Sequence, residues 1–85
     1  MSVRLLYFAS VRQKIGRSEE QISLPPGVRS VNALIDVLRT KGQGYAEAFR
    51  NLDRLRCAVN QNHVGFDAAI ADDDEVAFFP PVTGG

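Results

Sequence analysis

The chain has one cysteine and one histidine among its 85 residues. A lone cysteine excludes an intrachain disulfide, and with it the stapled architecture of small secreted proteins. One histidine and one cysteine also fall short of a structural zinc site built from these ligands. Charge of one sign is not in excess, since 10 basic and 10 acidic residues cancel. A nucleic-acid binder normally shows a basic surplus, so that class is set aside. No apolar run approaches the length of a membrane span. The amino-terminal apolar run is broken by Arg4 and Ser10. It is too short for a signal peptide, and the expected location is the cytoplasm.

What remains is a small domain of 9.3 kDa with 45% hydrophobic and 24% charged residues. A chain of this length has an expected radius of gyration of about 12 Å. It buries roughly 60–65% of its unfolded surface, which leaves little room for an enclosed catalytic pocket. Charge is unevenly distributed along the chain. Residues 1–42 hold seven basic and three acidic groups, and residues 43–85 hold three basic and seven acidic. Such a split can polarise a surface and orient a partner.

Val3 to Phe8 is apolar at nearly every position and predicts a central strand covered on both faces. Val11 and Ile15 lie four apart and predict a short helical turn, with Gly16 as its stop. Glu20 to Leu24 predicts a half-buried strand, ended by Pro25-Pro26-Gly27. Ser30 is a helix N-cap by type, because its hydroxyl accepts from an orphan amide. Val31, Leu34, Ile35 and Leu38 then form one apolar stripe at helical spacing, closed by Gly42 and Gly44. Tyr45, Ala48, Phe49 and Leu52 repeat the spacing and predict a second short helix. Leu55, Cys57 and Val59 alternate as a strand, followed by the turn Asn60-Gln61-Asn62 and a short strand through Val64 and Phe66. Ile70 is an isolated apolar anchor, and Glu75 to Phe79 reads as a last, central strand.

Hydrophobic strands therefore stand near both ends of the chain. Placing them side by side and parallel in one sheet buries both, with the helix after Ser30 covering a face. This is the β-grasp, or ubiquitin-like, arrangement of the α+β class, in one domain over residues 1–85.

Few side chains carry chemistry. Asp72-Asp73-Asp74-Glu75 lacks the spacing and turn glycine of a calcium loop and reads as a solvated turn. Cys57 shares an apolar face with Leu55 and Val59, where a thiol is inert. His63 follows a polar turn with no nucleophile placed beside it, and reads as an exposed residue that could serve an interface. Phe78 shares a face with Val76 and belongs to the core, while Phe79 points the other way and is a candidate docking contact. The end Pro80-Pro81-Val82-Thr83-Gly84-Gly85 is unlike an ordinary fraying terminus. Two prolines hold the chain extended and away from the body. Two glycines without Cβ atoms let another backbone or a narrow channel approach closely, next to the free carboxylate of Gly85. A stiff arm with a slim end suits delivery of a carboxyl group into another protein's active site.

Several segments resemble the MoaD family, the ubiquitin-like sulfur carriers that are small subunits of molybdopterin synthase. They are Arg4 to Ala9 with Val11-Arg12, then Ala58 to Gln61, Phe66-Asp67, and Asp74 to Gly85. The resemblance implies that Gly85 is the reacting group and that Pro80 to Gly84 form the tail that enters the partner. It implies a MoeB-type enzyme that uses ATP to adenylate the Gly85 carboxylate, and a sulfur donor protein that converts it to a thiocarboxylate. It implies a large MoaE-type subunit, in a heterotetramer of two small and two large chains. There sulfur passes to cyclic pyranopterin monophosphate. No stably bound cofactor, metal, nucleic acid or membrane is implied, and the chain is not an enzyme on its own. His63 stands where the family often has an apolar residue near the large subunit.

Three other readings stay open. The chain could carry sulfur for thiazole or cysteine synthesis, as ThiS-type proteins do. It could be a protein modifier joined to lysines through Gly85. It could be a binding module whose Gly-Gly end is incidental.

Overall fold

The computed structural model describes residues 2–81. Strand β1 spans Val3–Tyr7, helix α1 Ala9–Ile15, strand β2 Glu19–Ile22, helix α2 Val31–Arg39 and helix α3 Gln43–Ala48. A 3-10 turn at Leu52–Arg54 leads to β3 (Arg56–Val59), β4 (Asn62–Val64) and β5 (Glu75–Phe79). The five strands form one sheet in the order β2-β1-β5-β3-β4. β1 and β5 are central neighbours and run parallel, with Leu5 opposite Val76 and Tyr7 opposite Phe78. The other pairings are antiparallel. This is the expected β-grasp sheet, and the radius of gyration is 11.8 Å.

The helix after Ser30 forms as its pattern requires. The Ser30 hydroxyl accepts from the Ala33 amide at 3.2 Å. Val31, Leu34, Ile35 and Leu38 are all buried. They meet Val3, Leu5 and Tyr7 of β1, Val76 and Phe78 of β5, and Phe49 in one core. Gly16 ends α1 in the left-handed region at φ 89°. Asn60 and Gln61 both take positive φ, 51° and 71°. That geometry suits a two-residue hairpin turn, and it joins β3 to β4.

Several expectations need correction. β1 is not covered on both faces: Val3, Leu5 and Tyr7 are buried, Arg4 is exposed and Leu6 half-buried. The buried residues of the helices join the face of Val3, Leu5 and Tyr7, and the other face of the sheet is open. β2 begins and ends earlier than its apolar alternation indicated, at Glu19 and Ile22, where its pairing with β1 runs out. α2 ends at Arg39, with Thr40 donating its hydroxyl to the Val37 carbonyl at 2.7 Å. Gly42 instead caps the start of α3, and Gly44 lies inside it. Leu52 falls outside α3 because that helix stops at Ala48. The carbonyl of Phe49 is taken by the Arg39 guanidinium at 2.6 and 3.1 Å. Phe66 lies beyond β4, and its carbonyl accepts from the Asn32 amide at the start of α2.

Candidate functional site

The last described residues follow β5. Strand parity sends Val76 and Phe78 into the core and leaves Glu75, Ala77 and Phe79 half-buried on the open face. Pro80 and Pro81 follow directly and are half-buried. Neither can donate a backbone hydrogen bond, so pairing of β5 ends there. Val82, Thr83, Gly84 and Gly85 lie outside the described residues.

Phe79 and His63 come together, with ring centroids 5.2 Å apart and planes tilted by 53°. They belong to different strands, and the sheet register explains the meeting. Ala58 of β3 pairs with His63 of β4 on one side and Ala77 of β5 on the other. Leu6 of β1 pairs with Ala77 in turn. A row of Leu6, Ala77, Ala58 and His63 therefore crosses this face, with Ala58 itself buried by its neighbours and Phe79 beside the row. His63 is exposed, as its polar surroundings indicated.

Phe8 belongs to the same surface. It is 47% exposed, and among the described residues no other large hydrophobic group is so open. Its backbone is extended at φ −127°, so it continues the parity of Arg4 and Leu6. Its amide donates to the Phe78 carbonyl at 3.1 Å, which sets it next to the root of the arm. The sequence reading folded Phe8 into a buried strand and missed it. The signal was the alternation Arg4, Leu6, Phe8, in which a charged first member marks the wet face.

The remaining candidates are structural. Cys57 is buried, its thiol donates to the Val64 carbonyl at 3.4 Å, and burial pushes its pKa up. Asp74 closes a turn: one carboxylate oxygen accepts from the Asn60 side chain at 3.0 Å, the other from the Ala71 amide at 2.9 Å. Among the described residues no three metal-ligating side chains gather.

One polar cluster went unread. The Glu20 side chain is 6% exposed. One of its oxygens accepts from Tyr7 at 2.8 Å and Tyr45 at 2.7 Å. The other accepts from Arg17 at 3.1 Å and Lys41 at 3.3 Å. Burial alone raises the Glu20 pKa, but the hydrogen bonds from Tyr45, Tyr7 and Lys41 outweigh it, and the net shift is downward. Burial, then the bond to Glu20, pushes Tyr45 up to about 12 and raises Tyr7 as well. The hint was two tyrosines on apolar faces, since a buried phenol needs a partner. The cluster ties β2 to β1 and α3. None of its residues lines the cleft beside Pro80 and Pro81.

The described residues thus supply no nucleophile and base in contact. They supply an apolar stripe, a stiff strand exit and a root for the arm.

Comparison with known proteins places the chain in a family. A profile of the ThiS family matches residues 5–85. The molybdopterin synthase sulfur carrier subunit of Escherichia coli is 39% identical over 83 residues, spanning 98% of this chain and 99% of that protein. In fold, the chain is similar to SAMP1 from Haloferax volcanii, with a TM-score of 0.73 at 24% identity and full coverage of both chains. It is also similar to a chain in the complex of subunits 1 and 2 of the molybdopterin-converting factor from Helicobacter pylori. There the TM-score is 0.67 at 20% identity, again over both full chains. On the match from Leu5 to Gly85 and the kinship with the E. coli carrier, this chain belongs to the ThiS family, within its MoaD branch of molybdopterin synthase sulfur carrier subunits.

Proposed function

We propose that this chain is the sulfur-donating small subunit of a molybdopterin synthase. The observation that carries the reading is the 39% identity to the E. coli sulfur carrier subunit over nearly the whole of both chains. The strand exit at Pro80-Pro81, beside an open apolar stripe, supports it. By this reading Gly85 is the reacting residue, Gly84 gives clearance, and Pro80 to Thr83 set the path into the partner.

The chemistry follows from the carboxylate. A carboxylate is a poor electrophile, so its oxygen first attacks the α-phosphorus of ATP on a MoeB-type enzyme and pyrophosphate leaves. Sulfur from a donor protein then replaces adenylate at the acyl carbon, and AMP departs. The thiocarboxylate sulfur is soft and nucleophilic. In the active site of a MoaE-type large subunit it passes to cyclic pyranopterin monophosphate. Two such transfers build the dithiolene. This chain contributes reach and recognition, holds no cofactor of its own, and works in a heterotetramer of two small and two large subunits. Phe79, Phe8 and His63 are its docking contacts on the open face.

Turnover of the pterin precursor by the thiocarboxylated chain with a MoaE-type subunit tests the reading. Formation of molybdopterin is the expected result. Turnover only with a thiazole or cysteine synthase would assign the carrier to another pathway. Conjugates on lysines that survive thiol reductants would assign it to protein modification.

A further inference from the structure

Three cations ring the root of the arm. Lys14 comes from α1, and Arg50 and Arg54 from the segment between α3 and β3. Together with Pro80 and Pro81 they line a cleft of about 440 Å³ on the helix side of the sheet. Gly44 lets α3 approach the end of α1 closely. A Cβ at that position would clash with the Lys14 carbonyl oxygen, so only glycine brings α3 this close to α1. Among the described residues the one acidic lining residue is Glu47, 3.6 Å from Arg50. Lys14 and Arg54 make no ion pair among the described residues. All three cations are exposed. Arg50 and Arg54 come from the acidic half of the chain, so this concentration runs against its local composition.

We propose that this cleft is a docking site for an acidic segment of the large subunit, at the mouth of the channel that takes up the arm. The inference rests on the functional reading above and adds a second contact to it. A protein that admits residues 82–85 closes around Pro80 and Pro81, so its rim faces Lys14, Arg50 and Arg54. A basic rim would be repelled there, and carboxylates complement it. The cations are exposed and carried on separate segments, which suits a broad protein contact better than a cage around a small anion. With the apolar stripe on the other side of the arm, the two contacts fix the direction in which the arm points.

The test is the association rate of the full chain with the large subunit at low and moderate salt. Wild type runs beside the triple variants Lys14→Glu/Arg50→Glu/Arg54→Glu and Lys14→Gln/Arg50→Gln/Arg54→Gln. Wild-type association slows as salt rises. The Glu variant associates about tenfold more slowly or worse at low salt and loses most of that salt dependence, because steering acts through opposed charge. The Gln variant falls between and covers the case in which the Glu variant misfolds, which a thermal melt reports. Arg29→Glu, a charge reversal outside the cleft, keeps the wild-type rate.

Unchanged association of both folded triple variants would overturn the proposal. Normal association with slowed adenylation would also overturn it, by assigning the cations to the activating enzyme. Saturable binding of ATP or inorganic phosphate in the cleft by the chain alone would assign them to a small anion instead. A wild-type chain that fails to bind the large subunit at all is a different result, and it removes the functional reading itself.

Discussion

Phe78 and Phe79 are neighbours in β5 and have opposite fates. Phe78 is fully buried, with its ring 4.9 Å from Phe49 and edge-on to it. Phe79 stays half-buried on the open face, against an exposed histidine. The same contrast holds along β1, where Tyr7 is in the core and Phe8 is outside. One face of the sheet spends its apolar area on folding. The other leaves apolar area accessible beside Pro80 and Pro81. In a chain this small the division matters, because there is little core to spare.

The two faces separate most sharply under truncation. Phe78→Ala is expected to cost ~3–5 kcal/mol of stability, as buried aromatic truncations do. Phe79→Ala is expected to cost less than half of that and to weaken binding of the large subunit instead. Urea denaturation of both variants checks the pair, and equal losses would erase the distinction between the faces.

Gly44→Ala probes the helix side. Its Cβ would meet backbone rather than a flexible side-chain end, so α3 must move off α1. The expected cost is ~1–3 kcal/mol by overpacking, read in the same experiment.

Glu20→Ala follows. It strands the buried Tyr7 hydroxyl, and loss of that partner costs ~1–3 kcal/mol. The half-exposed Arg17 adds little to this sum. The folded pKa of Glu20 is depressed. Its contribution is therefore present above the unfolded carboxylate pKa and is lost as pH falls through the lower, folded one. Melts across the acid range should show wild type losing stability there and Glu20→Ala losing less.

The smallest effect on folding belongs to His63→Ala. An exposed open-face residue is expected to change stability by no more than ~0.5 kcal/mol. Its influence should be found in partner affinity.

Much of this was legible in the sequence, for identifiable reasons. The α2 stripe was complete because helical spacing and a serine cap pointed the same way. The central pairing of β1 with β5 was legible because burying both apolar strands leaves few arrangements. The single-sidedness of β1 was not legible. Leu6 and Phe8 are as apolar as residues that are buried, and only Arg4 marked their face. Glu20 was hidden because its partners Tyr7 and Tyr45 are distant in sequence and their phenols look apolar by position. Leu52 was misplaced because spacing continued past the point where Arg39 closes the helix. The tail reads as a motif from its prolines and glycines, and residues 82–85 lie outside the described residues. The cleft beside Pro80 and Pro81 was not legible, because Lys14 is distant in sequence from Arg50 and Arg54 and only the fold brings them to one surface.

The central claim is that the chain works through its last residue. The most direct test is the intact mass of the protein after incubation with ATP and a sulfur source in cell lysate, with a Gly85 deletion beside it. The account predicts the mass change of one oxygen replaced by sulfur in the full chain, none in the deletion, and the same melting temperature for both. An unchanged mass, in a lysate that converts a known carrier, would contradict it.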